Sequence, residues 1–393
     1  MTLKSRILVA VVCFGAFAGT AQARTYYVSS NGNDRAAGTS LARAWQSLRR
    51  VNHAHLRPGD TVLFKGGDTF ANGLTFEPSA SGTQADPITF GSYGSGPARF
   101  DNPNGNDVWI PSGRHDLVFE NLDFTGRSVL FASDGSGSGT YRITIEHSTF
   151  HDTPLGALNI ANYADRDWTV TRSTFRHIGD SGIFIWGSNV AITHSTITDT
   201  GWNNALDYAK HGLYIKGSGA VITDDVITNF SSDGVSLRSD NARVANDTIH
   251  GGVVGVAYFD FSRVVGRSQV TDNKIYGVNE SFYFAGDPNA ITGAPAHENF
   301  VIRGNLFKAN GKINIDLTGA EYSQIDLSQN TLRGAFQIAV NAYSPTKGGS
   351  YQEEQNTIFG NGVFVWNSVE LPYAAYRKTS GLGDLDRIYP AST

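Results

Sequence analysis

Lys216 and Arg238 lie 22 residues apart, each closing a short alternating segment, Gly212-Leu-Tyr-Ile-Lys216 and Gly234-Val-Ser-Leu-Arg238. His211 and Tyr214 stand in or beside the first segment. Asp180, Asp207, Lys210 and Asp233 come just before segments of this kind, and Asp240 and Asp260 just after. Two adjacent cations among proton-transfer groups suit removal of the proton next to a uronate carboxylate. One group takes the proton, and a fixed positive charge stabilises the enolate-like anion that forms. In that scheme Lys216 is the base, because the like charge of Arg238 disfavours its protonated form. Arg238 stabilises the charge, and His211 or Tyr214 protonates the leaving oxygen. Phe184, Trp186 and Tyr283 offer ring faces to sugars, and Asp180, Asp207, Lys210, Asp233 and Asp260 complete the expected substrate contacts. Three other chemistries stay open. Asp180, Asp207 and Asp233 could pair across rungs to hydrolyse a glycosidic bond. A C5 epimerase starts from the same proton abstraction, and a non-catalytic solenoid would use the aromatics only to bind.

For any of these, segments distant in sequence must lie side by side, and a repeat supplies that. An apolar residue, two variable residues, a small polar residue, one variable residue and a closing Phe, Ile or Leu recur at Ile145–Phe150, Val170–Phe175, Ile192–Ile197, Ile222–Ile227 and Val244–Ile249. Further copies are Val270–Ile275, Ile302–Phe307, Leu327–Leu332 and Glu354–Ile358, with a weaker first one at Phe119–Phe124. Closing residues are separated by 26, 25, 22, 30, 22, 26, 32, 25 and 26 positions. Such a period, with β-branched residues and almost no helix signal, means a solenoid whose rung buries its face only against neighbouring rungs. The reading is an all-β, single-stranded right-handed parallel β-helix of about ten coils. The small polar residues, Ser148, Ser173, Ser195, Asp225, Asp247, Asn273, Asn305, Asn330 and Asn356, are expected to stack at one turn and satisfy backbone groups there. Outward positions of the second strand read Trp186, Lys216, Arg238, Phe259, Ala285, Asp316, Asn341, Trp366, and two residues earlier Phe184, Tyr214, Ser236, Ala257, Tyr283, Asn314, Ala339, Phe364.

The chain opens with Lys4 and Arg6, an apolar run from Ile7 to Gly19 and Ala21-Gln22-Ala23, the order of a secretory signal peptide, so residues 1–23 are expected to be removed on export. Residues 24–97 are then an N-terminal cap with one short helix near Ala44–Asn52. Residues 98–366 form the β-helix, and 367–393 a capping tail carrying Tyr373 and Tyr376. No later stretch is apolar enough to insert in a membrane. Cys13, the single cysteine, lies within the leader, which removes disulfides and a cysteine nucleophile from the mature protein. With 31 basic and 36 acidic residues the chain is acidic, which excludes nucleic acid as an expected partner. The expected product is a secreted monomer acting on an acidic polysaccharide. Its aspartates admit calcium, although no EF-hand or glycine-rich calcium repeat is present, and no cofactor is otherwise expected.

The opening stretch TYYVSSNGNDRAAGTS, with AWQSLRRVN, LRPGDTVLFKGGDTF and DPITFGSYGSG after it, resembles the N-terminal cap of secreted bacterial parallel β-helix proteins of the pectate-lyase-like superfamily. That superfamily holds lyases, hydrolases, epimerases and non-catalytic members. Ile215-Lys216 with Leu237-Arg238 resembles the chondroitinase B and alginate lyase family, which implies a Lys base and an Arg charge stabiliser on adjacent coils. The resemblance breaks at Ser239-Asp240, where that family has His-Gly, and its calcium-binding Asn and Glu pattern is not evident. Ser231-Ser232-Asp233-Gly234 and Lys210-His211-Gly212 resemble polygalacturonase motifs, in reversed chain order.

Overall fold

The computed structural model describes residues 22–71, 75–206, 210–260, 265–285, 297–319, 322–334, 336–344, 349–360, 363–383 and 385–389. Asp207 and nearly all of the expected leader lie outside the described residues. The chain winds into a right-handed parallel β-solenoid of about 11 turns. One sheet starts at Thr25–Val28, continues through Thr61–Lys65 and Ile88–Tyr93, and ends at Tyr351–Glu354, with each strand parallel to the next. The closing apolar residues of the repeat form a second stack, in which Phe150 pairs with Phe175, Phe175 with Ile197, and Ile197 with Ile227. The alternating segments form a third stack, with Ile183–Ile185 beside Leu213–Ser218 and that strand beside Asp233–Asp240.

Identical types recur at identical rung positions because each side chain packs mainly on its own equivalents above and below. Phe100, Phe124, Phe150 and Phe175 show this, stacked with ring centroids 5.3, 4.7 and 4.6 Å apart. The turn between the first two stacks has a residue with positive φ, such as His147 (49°), Arg172 (47°) or His194 (53°), and the small polar residue follows it. That residue caps the rung before: Leu122 N–H donates to Ser148 Oγ, Ser148 N–H to Ser173 Oγ and Ser173 N–H to Ser195 Oγ, each at 3.2 Å. The ladder runs on through Asp225, Asp247, Asn273, Asn305, Asn330 and Asn356. Each side chain satisfies an amide that the bend takes out of the sheets.

Two local expectations change. The helix is shorter than Ala44–Asn52: only Leu48–Asn52 is α-helical, capped by Ser47 Oγ, which accepts from Arg50 N–H. Asp34 holds the amides of Gln46 and Ser47 at 2.8 and 3.0 Å, so those groups are already used before the helix begins. The repeat also continues past Asn367. Val369–Pro372 and the helix Tyr373–Ser380 fold over the last coil, where Tyr376 stacks on Phe364 at 4.4 Å. Then Arg387–Tyr389 returns to the second stack beside Thr357–Phe359, and Asp386 Oδ1 accepts from Asn356 N–H as the final step of the ladder. No helix among the described residues is long and apolar enough to cross a membrane.

Candidate active site on the third strand stack

In the third stack each strand of the middle rungs is opened by glycine. A Cβ at Gly212 would sit 2.6 Å from Gly234 O, one at Gly234 2.8 Å from Gly255 O, and one at Gly255 2.7 Å from Ser281 O. Only glycine allows so close an approach of successive rungs. The residues just before Gly182, Gly212, Gly234, Gly255 and Ser281 therefore stand in file at the mouth of the strands: Ser181, His211, Asp233, Val254 and Glu280. His211 and Asp233 touch, with Nδ1 3.1 Å from Oδ2, and Asp233 N–H donates to the same ring nitrogen at 3.3 Å. Both residues are buried.

Lys216 and Arg238 are register partners, as the 22-residue spacing implies, with Tyr214 paired to Ser236 two residues earlier. Lys216 does not point to solvent, however. It is 7% exposed, with Nζ 4.2 Å from the Trp186 ring centroid and 5.0 Å from that of Tyr214. Between two aromatic neighbours an outward lysine finds a cation–π seat rather than water. Arg238 is half-buried, with Cζ 4.7 Å from the Tyr214 ring and 4.0 Å from that of Phe259, and Nη1 3.4 Å from Ser236 Oγ. A cleft of about 390 Å³ opens here, lined by Asn159, Asp180, Ser181, Phe184, His211, Tyr214 and Arg238. Four of the expected residues, Asp180, Phe184, His211 and Tyr214, meet Arg238 in it.

Others are placed differently. Lys210 is buried and donates from Nζ to Asn203 O at 2.5 Å, so its charge serves the loop and not the cleft. Asp260 is buried at 1% exposure, where the strand leaves the sheet. The assumed columns hold from Trp186 to Tyr283 and then shift twice, first by two positions and later by one. Tyr283 pairs with Asp316, two positions beyond Asn314, and Asp316 with Asn341 as assumed; Asn341 then pairs with Val365, one position before Trp366, after the irregularity between Ile338 and Val340. One slipped residue exchanges the two faces of a strand. Phe364 and Trp366, expected outside, are therefore core residues, whereas the two-position shift keeps strand parity and sets Asp316 beside Tyr283.

Two features carry chemistry that the spacing did not reveal. Tyr163, 55% exposed in a turn, stacks on Trp186 at 5.1 Å and extends the row of rings Phe184, Trp186 and Tyr214. Glu280 is the second. Burial, with Asp316 and Asp233 nearby, pushes its carboxyl up to about 6. Burial and the charges of Asp316, Glu280 and Asp233 likewise raise the Tyr283 phenol. Asp316 is hydrogen-bonded at Oδ1 by Thr318 N–H (2.9 Å), Thr318 Oγ1 (2.6 Å) and Asn341 Nδ2 (3.2 Å). Glu280 was missed because a lone acid in a strand otherwise reads as surface; its sole sequence signal is its place just before the strand, as His211 has. Among the described residues no three acidic or histidine side chains gather as a metal cage.

The sequence matches the family described as right handed beta helix region over residues 128–280 and 200–370. The chain belongs to the right-handed β-helix family. A curated relative of this β-helix, the lacto-N-biosidase of Bifidobacterium longum subsp. longum, is 41% identical over 78 residues, which are 19% of this chain and 5% of that protein. Among solved structures, the GH136 lacto-N-biosidase from Eubacterium ramulus superposes with a TM-score of 0.56 at 15% identity, over 93% of this chain and 68% of the other. The complex of XylC with xylose does so with 0.52 at 9% identity, over 93% and 82%. At these identities the structural likeness shows the fold.

Proposed function

We propose that this β-helix cleaves a glycan of low charge by hydrolysis, with Glu280 as proton donor and Asp316 as the second carboxyl group. The observation that carries this reading is the contrast between the two carboxyl groups. One is half-buried and held near 6, and the other is held by three hydrogen bonds. Two carboxyl groups in such different settings suit the division of a glycosidase's pair into proton donor and stabilising group. Neutral Glu280 passes its proton to the glycosidic oxygen as the bond to the anomeric carbon breaks. Asp316 stabilises the positive charge that develops there. Water adds its hydroxyl to that carbon and returns a proton to Glu280. Phe184, Tyr214 and Tyr283 supply ring faces, and Arg238 and Asn159 supply polar groups that orient the sugar.

Charge supports a substrate of low charge. Asp180, Asp233, Glu280 and Asp316 share this face with Arg238, while Lys216 rests on aromatic rings and Lys210 on a carbonyl. A polymer of carboxylates would meet repulsion here. The curated relative and one solved neighbour are named as lacto-N-biosidases, and another neighbour is in complex with xylose.

The lining of the cleft favours β-elimination as a second reading, with the base reassigned from Lys216 to His211. His211, backed by Asp233, would take the proton, Tyr214 would protonate the leaving oxygen, and Arg238 with Asn159 would hold the carboxylate. One assay separates the two. Xylan and other neutral glycans, and in parallel alginate and polygalacturonate, are incubated with the protein, and both new reducing ends and ultraviolet absorbance are followed. Hydrolysis gives reducing ends without absorbance, and turnover falls as pH rises through about 6, where Glu280 loses its proton. Absorbance from an unsaturated sugar would discard the hydrolytic reading in favour of elimination.

A further inference from the structure

The second strand stack carries on its outer surface a strip unlike the rest of this acidic chain. Register sets Tyr276 beside Lys308, Lys308 beside Arg333, and Phe359 beside Tyr389, while Arg333 Cζ lies 4.1 Å from the Phe359 ring centroid. These five residues form one outward column over consecutive rungs. In the column two residues earlier stand Lys274, Leu306, Thr331, Thr357 and Arg387. Neither column contains a carboxylate. Lys274, Lys308, Arg333 and Arg387 are all exposed, and among the described residues none of them is in an ion pair. Four such cations in two adjacent columns on a chain of net charge -5 form a local reversal of sign. Four strand spacings of about 4.8 Å give the strip a length of roughly 19 Å along the solenoid axis.

We propose that this strip binds an acidic polysaccharide chain, carboxylated or sulfated, lying along the axis. The cations stand in two columns two residues apart, a strip about 7 Å wide that a single extended polymer covers. Leu306 is half-buried, so no aliphatic side chain projects to enter a bilayer. The rings of Phe359 and Tyr389, stacked at 5.1 Å, and of Tyr276, stacked on His250 at 4.8 Å, hold the strip rigid and give apolar ground against sugar rings. Arg333 and Arg387 bring paired N–H donors suited to carboxylate or sulfate oxygens. The strip lies on a different stack from the cleft, so the proposal stands independently of the reaction assigned there. It makes the molecule a catalyst for one glycan anchored on another.

Native gels cast with polygalacturonate, dextran sulfate or neutral dextran test it. The wild-type protein should be slowed by the acidic polymers and not by dextran, with the effect released by salt. Polygalacturonate and dextran sulfate distinguish a carboxylate from a sulfate ligand. Lys308→Glu with Arg333→Glu should weaken binding at least about tenfold, as expected on reversing two of four contacts, while the thermal transition stays in place. Glu280→Gln should bind as the wild type does. Equal mobility in all three gels, or unchanged retention of the double variant, would overturn the proposal. Retention by phosphatidylglycerol vesicles or duplex DNA with none by either acidic glycan would overturn it as well.

Discussion

Two files of stacked polar residues run along this solenoid, and they differ in how their members are satisfied. In the ladder from Ser148 to Asp386 each side chain accepts an amide of the preceding rung, and Asn273, Asn305, Asn330 and Asn356 also donate to a carbonyl of that same rung. The file at the mouth of the third stack has no such closure. His211 meets Asp233, Val254 interrupts, and Glu280 faces the field of Asp233 and Asp316. A polar file that neutralises itself holds the fold, whereas one that leaves charges opposed stores reactivity.

Changing one member of each file sharpens that contrast. Glu280→Gln, at the mouth, should lower kcat by about 10² to 10⁴ with no loss of thermal stability, measured by reducing-end assay and calorimetry; a variant that turns over normally removes Glu280 from the chemistry. Asn305→Ala, in the ladder, strips the acceptor for Asn273 N–H and the donor to Val270 O, and should destabilise by about 2–4 kcal/mol. Its kcat per folded molecule should stay unchanged, and a selective fall in kcat would erase the distinction.

The ladder contains its own exception, and pH exposes it. Burial pushes Asp225 up to about 7 and Asp247 well above the usual carboxylate range, and each keeps one buried oxygen without a hydrogen-bond partner among the described residues. Protonated, either acid can play the part of Asn. A carboxyl whose folded value lies above its unfolded one contributes stability that is fully present below about pH 4 and is lost as pH rises through the folded value. Asp225→Asn with Asp247→Asn should therefore raise the melting temperature more at pH 8 than at pH 5, by an amount worth about 1–3 kcal/mol. Equal gains at both pH values would show that the two acids are already ionised.

Smaller effects separate a supporting cation from a base. Lys216→Met should lower kcat by no more than about tenfold, because the ammonium props Trp186 and Tyr214; abolished turnover in a well-folded variant would restore Lys216 as a base. Tyr163→Ala should raise KM for polymeric substrate about threefold and leave kcat alone, the scale of one lost ring contact.

Much of the architecture is legible in residue order. The spacing of Phe150, Phe175 and Ile197 discloses the coil, and the recurring Ser, Asp or Asn discloses the capping turn. The 22 residues between Lys216 and Arg238 disclose their adjacency, because a rung is a local, periodic object whose side chains meet their own equivalents. Part of the cleft follows from the same logic, since Asp180, Phe184, His211 and Tyr214 converge through register alone.

Tertiary structure decided the remainder. The burial of Lys216 depends on rings contributed by two strands. The place of Asp316 depends on a bulge that no period announces. The protonation of Glu280 depends on solvent excluded, and charge supplied, by rungs more than thirty residues away in either direction. Periodicity in a chain specifies which residues become neighbours; desolvation and strand parity are properties of the assembled neighbourhood, and they exist only once the coil has closed.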